Sequence, residues 1–293
     1  MSSTYCLENE YLKANFTSKG AELISLTNKK EIEYIWNGNP EFWGRHAPVL
    51  FPIVGGLKDN TFYVEDQKFE MKQHGFARNS EFNIVEQSND SITFELASSK
   101  ETLEWYPFEF VLQITYTLTN KTINTKYLVK NPSDKNLLFS IGAHPAYACP
   151  FEKNQTREEY ILVFDNDAAP LSTHLINGCR NKETSKVFNQ GGVLDLPKNV
   201  FDKDALIFNP NPFSEVSFIH EPTGKTYMSV KFENFPYLGI WSANQEAPFV
   251  CIEPWHGITD HADHNQQLKD KEGIISLEPK QVFTCAYLVT INN

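Results

Sequence analysis

The sequence is poor in arginine and lacks long apolar runs. Only four arginines occur in 293 residues, so the bidentate groups best suited to carboxylate or phosphate binding are scarce. The net charge of −11 disfavours nonspecific binding to nucleic acid or to an anionic membrane. A run of about 18 apolar residues is missing, and the first residues have no basic and apolar regions typical of a secretory signal. We therefore expect a soluble, cytoplasmic protein that binds neither nucleic acid nor membrane.

The cysteines are few and scattered. There are five of them, without a C-x-x-C pair, which fits reduced thiols better than disulfides or a zinc site. Cys251 and Cys285 lie in apolar, strand-like segments, and we interpret both as buried structural residues. The sequence also has no P-loop and no serine nucleophile elbow, so nothing supports a transferase or hydrolase. We predict no metal and no cofactor.

A helical apolar stripe is also lacking, whereas alternation with a period of two is frequent. From Phe108 to Leu118 every second residue is apolar, which predicts a long, half-buried strand. A turn follows, and the alternation over 123–129 completes a hairpin. Roughly eighteen such short segments, separated by turns, predict an all-β protein built as a large antiparallel β-sandwich. Rossmann and (β/α)-barrel architectures are disfavoured because strands do not alternate with helices.

The domain organisation follows from the absence of linkers and internal repeats. The segment from Pro150 to Gly192 is polar and irregular, with one strand candidate at Tyr160 to Phe164. We interpret it as a long excursion over the sheet and predict a single domain over residues 1–293.

Three residues that can carry acid–base chemistry stand in unusual local settings. His74 precedes Gly75, a residue type that permits close backbone approach. His144 ends an apolar strand and precedes Pro145, which restricts the path of the chain. Glu253 lies inside an apolar segment, where a carboxylate is costly to bury and acquires a raised pKa. Two imidazoles and one carboxylate suit general acid–base catalysis near neutral pH but do not name a reaction.

Four motifs that contain or flank these residues occur in order along the chain. They are Leu50-Phe51-Pro52-Ile53-Val54-Gly55, His74-Gly75-Phe76-Ala77-Arg78, Gly142-Ala143-His144-Pro145 and Cys251-Ile252-Glu253-Pro254-Trp255. Together they resemble the aldose 1-epimerase (galactose mutarotase-like) superfamily, in particular its LacX-like branch, and the resemblance runs from about Tyr11 to the C-terminus. It implies an antiparallel supersandwich. It also implies an isomerase that interconverts the α and β anomers of an aldohexose without a cofactor.

The resemblance also implies roles for individual residues. Glu253 would be the general base that takes the proton of the C1 hydroxyl, and His144 the general acid that protonates the ring oxygen. His74 would hydrogen-bond the sugar near C1 and O5. Arg78 matches an arginine that contacts sugar or phosphate, and Asp204, or alternatively Asp202, would bind sugar hydroxyls.

Aromatic residues near these motifs offer a stacking surface. The candidates for stacking on the apolar face of a pyranose are Trp43, Tyr147 and Trp255. Core packing is an equally good interpretation for Trp43.

The sequence departs from the family pattern at two places. Relatives often carry an arginine at the position of Gly56, so one expected contact is absent and an anionic substrate is less favoured. The residues around His144 also differ from the Asn-His-x-Tyr-Phe-Asn signature of galactose mutarotases. A preference for galactose is therefore not predicted.

Three alternatives stay open. The segment from His256 to His264 has the residue types of a metal site, but its spacing matches no H-x-x-x-H helix face, and we interpret it as a solvated loop. The protein could be a non-catalytic carbohydrate-binding protein. It could also be a hexose-6-phosphate mutarotase in which Arg45 and Arg78 bind the phosphate. For the assembly, we predict a monomer or a homodimer.

Overall fold

The computed structural model describes residues 3–292, and nearly all regular structure in them is β-strand. The strands, in chain order, are β1 (Thr4–Glu8), β2 (Leu12–Thr17), β3 (Glu22–Asn28), β4 (Val49–Leu50), β5 (Thr61–Val64), β6 (Gln67–Glu70), β7 (Asn83–Gln87), β8 (Ser91–Ala97), β9 (Val111–Thr119), β10 (Thr122–Lys130), β11 (Leu137–Phe139), β12 (Ile141–Ala143), β13 (Ala146–Ala148), β14 (Tyr160–Phe164), β15 (Ser172–Ile176), β16 (Cys179–Ser185), β17 (Val193–Asp195), β18 (Leu206–Phe208), β19 (Glu215–His220), β20 (Lys225–Lys231), β21 (Tyr237–Trp241), β22 (Phe249–His256), β23 (Ile275–Leu277) and β24 (Val282–Ile291). One short helix, α1, spans Lys100–Trp105. Short 3₁₀ turns cover Lys58–Asn60, Ala77–Asn79, Arg157–Glu159, Lys198–Phe201 and Leu268–Asp270.

Two large antiparallel sheets form the body of the molecule. One has nine strands in the order β17-β14-β19-β20-β24-β10-β9-β8-β7, and the other runs β16-β15-β18-β21-β22-β12-β4, with β13 also paired to β22. Rings from the two sheets meet between them, as where Tyr147 of β13 packs on Phe218 of β19 with centroids 5.9 Å apart. The sheets therefore pack face to face, as in a β-sandwich.

The predicted hairpin is confirmed as β9 and β10. Residues Leu112, Ile114 and Tyr116 are buried along β9, and Ile123 and Tyr127 are buried along β10. The strand begins at 111, three positions after the predicted start, because Phe108 and its neighbours follow α1 in an irregular segment. Alternation located the pair because one face packs on the core while the other is more exposed.

The strand predicted at Tyr160 to Phe164 is confirmed as β14, but the interpretation of the rest of 150–192 as an irregular excursion is wrong. This segment also contains β15 and β16, which form a hairpin and extend the eight-stranded sheet. Most residues of β16 after Cys179 and Arg180 are partly or fully exposed. An edge strand with little buried surface carries no apolar alternation, so the sequence pattern could not reveal it.

Two smaller predictions concern burial. Cys251 is fully buried, as predicted, whereas Cys285 is only partly buried.

Within residues 3–292, no helix is long and apolar enough to cross a membrane.

Strand β22 is buried on both faces along nearly its whole length. Val250 and Ile252 belong to the main apolar core between the sheets. Cys251, Glu253 and Trp255 alternate with them and therefore lie on the opposite face of the sheet. This second face carries the site described next.

Candidate functional site

A cavity of about 470 Å³ lies on that second face of the eight-stranded sheet, a size typical of small-molecule sites. Strands β15, β18, β21 and β22 contribute to its wall, together with the segment after β12. Seven of the residues predicted for catalysis or binding line it: Arg45, His74, Arg78, His144, Asp204, Glu253 and Trp255. Residues far apart in sequence are thus brought to one place.

Sheet register fixes the position of Glu253 and Trp255. Glu253 pairs with Gly239 of β21, and Trp255 pairs with Gly142 of β12. A Cβ atom at Gly239 or Gly142 would lie 2.4 or 2.6 Å from the Trp255 ring. The two glycines therefore leave the space in which the indole lies beside the carboxylate.

His74 is held by two hydrogen bonds to one residue. Its backbone N–H donates to the Gly55 carbonyl at 2.9 Å, and the Gly55 N–H donates to its Nδ1 at 3.1 Å. His74 has a φ of 68°, and the next residue, Gly75, could not carry a Cβ, which would lie 2.2 Å from the Phe51 carbonyl oxygen. Because Nδ1 accepts a hydrogen bond, the neutral ring carries its proton on Nε2.

The charge state of His74 agrees with that tautomer. Burial lowers its pKa well below the usual value, and electrostatic interaction with His144 and Arg78 lowers it further. His74 is therefore a neutral side chain whose Nε2–H is available to donate to a ligand in the cavity.

His144 and Glu253 form a close pair. The distance from His144 Nε2 to Glu253 Oε2 is 3.4 Å, and both side chains are almost completely buried. The His144 ring stacks on Trp43, with centroids 4.8 Å apart and an interplanar angle of 23°, and it meets Trp241 edge to face at 5.6 Å. Aromatic contacts on two sides hold the imidazole in place beside the carboxylate.

The pKa values of the two groups are shifted in opposite directions. Burial raises the pKa of Glu253 well above its usual value, and the Asp204 carboxylate adds to this, while Trp255 and Arg78 oppose it. Burial, and then the charge of Arg78, lower the pKa of His144 to about 3. The imidazole is therefore neutral at neutral pH, and burial favours the protonated form of the carboxyl.

Two arginines face the cavity without a carboxylate partner. Arg78 Nη2 donates to the Gln73 carbonyl at 2.7 Å, and Arg45 Nη2 donates to Asn79 Oδ1 at 2.8 Å. Neither forms an ion pair within 4.0 Å in the described part of the chain, and Arg78 Nε is buried without a partner. Burial, and then Arg45, lower the pKa of Arg78 to about 10, so Arg78 is charged at neutral pH.

The two acidic candidates differ in position. Asp204 lines the cavity and accepts a hydrogen bond from the Ala205 N–H at 2.8 Å. Asp202 lies outside the cavity wall, where both its oxygens accept hydrogen bonds from Gln245 Nε2, at 2.9 and 3.0 Å. Position therefore favours Asp204 over Asp202 as the residue that could bind a sugar hydroxyl.

The aromatic predictions divide. Trp43 and Trp255 line the cavity, but Tyr147 does not. The proposed stacking role of Tyr147 is wrong, because this residue is fully buried in the core between the sheets. Trp241, which the sequence did not single out, lines the cavity from β21.

The interpretation of 256–264 as a solvated loop is also wrong for its first half. Residues 257–260 are buried, and His256 ends β22 with its ring 4.6 Å from that of Phe235. Asp260 is buried because Lys271 Nζ donates to its Oδ1 at 2.9 Å. His256 and residues 261–264 are partly or fully exposed.

Thr259 connects this buried loop to His74. Its Oγ1 donates to the Gly178 carbonyl at 2.7 Å and accepts from the Gly56 N–H at 2.9 Å. Gly56 directly follows Gly55, which holds His74. Where relatives carry an arginine after Val-Gly, this chain has a glycine whose backbone is bonded to Thr259.

Comparisons with known proteins identify the family. The family model described as "Aldose 1-epimerase" matches residues 3–274. The chain belongs to the aldose 1-epimerase family. The chromosomal "Protein LacX" of Lactococcus lactis subsp. lactis is 32% identical to this family member over 296 residues, which covers 98% of this chain and 99% of LacX.

Solved structures of other family members confirm the fold class. A "galactose mutarotase related enzyme" from Lactobacillus acidophilus superposes with a TM-score of 0.93 at 31% identity, covering 99% of this chain and 98% of the other. A "galactose mutarotase-like protein" from Lactobacillus casei ATCC 334 gives 0.91 at 30% identity, covering 99% and 100%. This aldose 1-epimerase family protein therefore has the predicted all-β, galactose mutarotase-like supersandwich.

Proposed function

We propose that this family member is a mutarotase that interconverts the α and β anomers of an aldohexose. The observation that carries the proposal is the His144–Glu253 pair, whose Nε2 and Oε2 atoms lie 3.4 Å apart at a sugar-sized cavity. Ring opening needs one proton taken from the C1 hydroxyl and one given to the ring oxygen. A pair with one acidic and one basic member can do both without net change.

When the sugar binds, a proton moves from the Glu253 carboxyl to the His144 imidazole. The Glu253 carboxylate then takes the C1 hydroxyl proton while the His144 imidazolium protonates the ring oxygen. The bond from C1 to the ring oxygen breaks and leaves an open-chain aldehyde. After rotation about the C1–C2 bond, the ring oxygen attacks the other face of C1 and the two protons return.

The surrounding residues support the same chemistry. The Nε2–H of His74 is a neutral donor suited to the oxygens near C1 and O5. Asp204 and Arg78 offer an acceptor and a donor for ring hydroxyls, and Trp255 offers an apolar surface.

Anomer exchange measured by NMR tests the proposal directly. With purified protein, exchange of glucose or galactose should be faster than in buffer, in proportion to protein concentration. Saturable sugar binding without faster exchange for any of the aldoses tested, the 6-phosphates included, would contradict it and would support the non-catalytic carbohydrate-binding alternative.

A second candidate is a hexose-6-phosphate mutarotase, which the two arginines favour. Arg45 and Arg78 line the cavity, and neither has a carboxylate of residues 3–292 within 4.0 Å. Charge-assisted hydrogen bonds to phosphate contribute about 1.5–3 kcal/mol each. If phosphate binds there, R78M should lower kcat/KM for the 6-phosphate about 10- to 100-fold more than for the free sugar.

The matched control is K72M, which removes a nearby exposed cation that does not line the cavity. K72M should leave the ratio of the two kcat/KM values unchanged. An equal loss for both sugars in R78M would instead place Arg78 on the ring hydroxyls and dismiss the phosphate site.

A further inference from the structure

A third ligand-type side chain lies beside the His144–Glu253 pair and takes no part in the proposed reaction. Cys251 is two positions before Glu253 on β22, so both side chains lie on the same face of the strand. His144 stands in the turn between β12 and β13, and Ala146 of β13 pairs with Cys251. The potential ligand atoms of His144, Cys251 and Glu253 all lie within 4.8 Å of one another.

We propose that His144, Cys251 and Glu253 form a binding site for one soft divalent metal ion, such as Cd²⁺ or Zn²⁺, and that the bound ion excludes the sugar. Imidazole, thiolate and carboxylate are all zinc ligands, with bonds of about 2.0–2.3 Å. Tetrahedral bonds of that length place ligand atoms roughly 3.3–3.8 Å apart. The 3.4 Å between His144 and Glu253 already meets this range.

The third ligand needs only a small adjustment. The Cys251 sulfur lies at most 4.8 Å from the ligand atoms of His144 and Glu253, and it must approach them by about 1 Å for tetrahedral coordination. His144 Nδ1 is buried without a hydrogen-bond partner, so no hydrogen bond from that atom opposes a tilt of the ring. The sulfur gives the site its selectivity, because soft thiolate ligands prefer Zn²⁺ and Cd²⁺ over Mg²⁺ or Ca²⁺.

The surroundings of the three ligands let a metal ion enter from the cavity and shield the thiol on the other side. His144 and Glu253 line the cavity, so an ion can reach them from that side, and a fourth coordination position stays open towards it. The fully buried thiol packs in an apolar cluster that includes Trp36 and Phe249. On binding, the thiol proton leaves to solvent as the sulfur–metal bond forms, and the carboxyl proton leaves in the same way.

Inhibition is the functional consequence, and it rests on the proposed mutarotase activity. The ion takes His144 Nε2 and a Glu253 oxygen, the two atoms that the proposed reaction uses. Metal binding itself does not depend on that proposal, so the two can be tested separately.

Cd²⁺ titration of the metal-free protein tests the site without any sugar. Calorimetry should give one tight ion per chain, and a thiolate-to-cadmium ultraviolet band should grow with the same stoichiometry. C251A should lose the band and weaken binding at least about 10-fold, and C251S serves as a second variant of similar volume. The matched control is C149A, which removes another fully buried thiol and should bind Cd²⁺ like the wild type.

The outcomes separate the two proposals. If the wild type lacks the thiolate band, or C251A and C251S bind as tightly as C149A, the metal site is overturned and the mutarotase proposal is unaffected. For an active enzyme, Cd²⁺ should inhibit anomer exchange competitively with sugar, and C251A should resist it while keeping its metal-free activity within a few-fold. Tight binding that leaves exchange unchanged would overturn the shared site, and a wild type without mutarotase activity would overturn only the proposed function.

Discussion

Two buried polar clusters lie close together in this protein, and they differ in how completely their hydrogen bonds are satisfied. In the first, which we call the ion cluster, Lys271 Nζ donates to Asp260 Oδ1 at 2.9 Å and to the Ile258 carbonyl at 2.6 Å. The second carboxylate oxygen of Asp260 accepts from the Lys58 N–H at 2.9 Å. Lys271 and Asp260 are therefore both hydrogen-bonded to each other and to backbone groups.

The second cluster is the cavity wall around His144 and Glu253. Here two buried nitrogen atoms, His144 Nδ1 and Arg78 Nε, have no hydrogen-bond partner within residues 3–292. Because buried polar atoms in native proteins are nearly always hydrogen-bonded, unpaired ones gathered at one cavity indicate a place for a ligand. The comparison indicates that the paired charges of the ion cluster stabilise the fold, whereas the unpaired polar atoms at the cavity indicate a ligand site.

The largest expected difference between the clusters is catalytic. E253Q replaces the acid–base group of the cavity pair with an amide that cannot exchange a proton, and it should lower the anomer exchange rate by about 10²–10⁴-fold. It should not lower stability, because burial disfavours the charged carboxylate and the amide is a neutral group of the same shape. NMR exchange and thermal unfolding measure the two effects.

The control for this change is E246Q at an exposed ion pair, with the two side chains 55% and 71% exposed. It should alter neither activity nor stability noticeably. If E253Q unfolds several degrees below the wild type and keeps normal turnover, the carboxyl is structural and the contrast between the clusters fails.

The ion cluster should respond in the opposite way. K271M leaves the Asp260 carboxylate buried without its cation, and we expect a loss of about 3–5 kcal/mol in unfolding free energy. Where the variant is folded, anomer exchange should stay within a few-fold of the wild type. Urea denaturation measures the loss, and the double variant K271M/D260N should recover much of it because no buried charge remains.

The matched control for K271M is K198M, which removes the cation of the exposed pair with Glu246. Exposed pairs contribute less than about 1 kcal/mol. A K271M variant that is no less stable than K198M would show that the buried pair does not stabilise the fold.

Sequence patterns predicted the parts of this protein whose signal is local. The β9–β10 hairpin alternates because one face is buried, and the settings of His74, His144 and Glu253 depend on a neighbouring glycine, proline or apolar run. Those three residues do line one cavity. Their roles in catalysis stay predictions until the variants are measured.

What the sequence could not reveal depends on contacts between distant segments. The hydrogen bond from Gly56 to Thr259 joins residues 203 positions apart, and only sheet pairing brings them together. The burial of Asp260 likewise requires Lys271, so the loop that contains Asp260 looked solvated in sequence. Edge strand β16 was missed because its surface is largely exposed.

The pH dependence of kcat/KM gives a smaller effect, about tenfold for each pH unit beyond the relevant pKa. The cavity pair works while it holds one proton. Since the pKa of His144 is lowered to about 3, a second proton binds only in strong acid. Since burial raises the pKa of Glu253, the single proton is kept to higher pH than on an ordinary glutamic acid, and activity should fall on the alkaline side of that raised pKa.

The smallest effect is a shift, along the pH axis, of the alkaline limb, by which we mean the fall of kcat/KM at high pH. After burial, Asp204 raises the pKa of Glu253 and Arg78 lowers it. D204N removes a negative charge, which favours the Glu253 carboxylate and should move the limb to lower pH. R78M removes a positive charge and should move it to higher pH, whereas K271M, in the ion cluster, should leave it in place. Loss of a sugar contact changes the height of a kcat/KM profile but not its pKa. Opposite shifts in D204N and R78M would therefore show that Glu253 is the group that titrates on the alkaline side. Shifts in the same direction would assign this titration to another group.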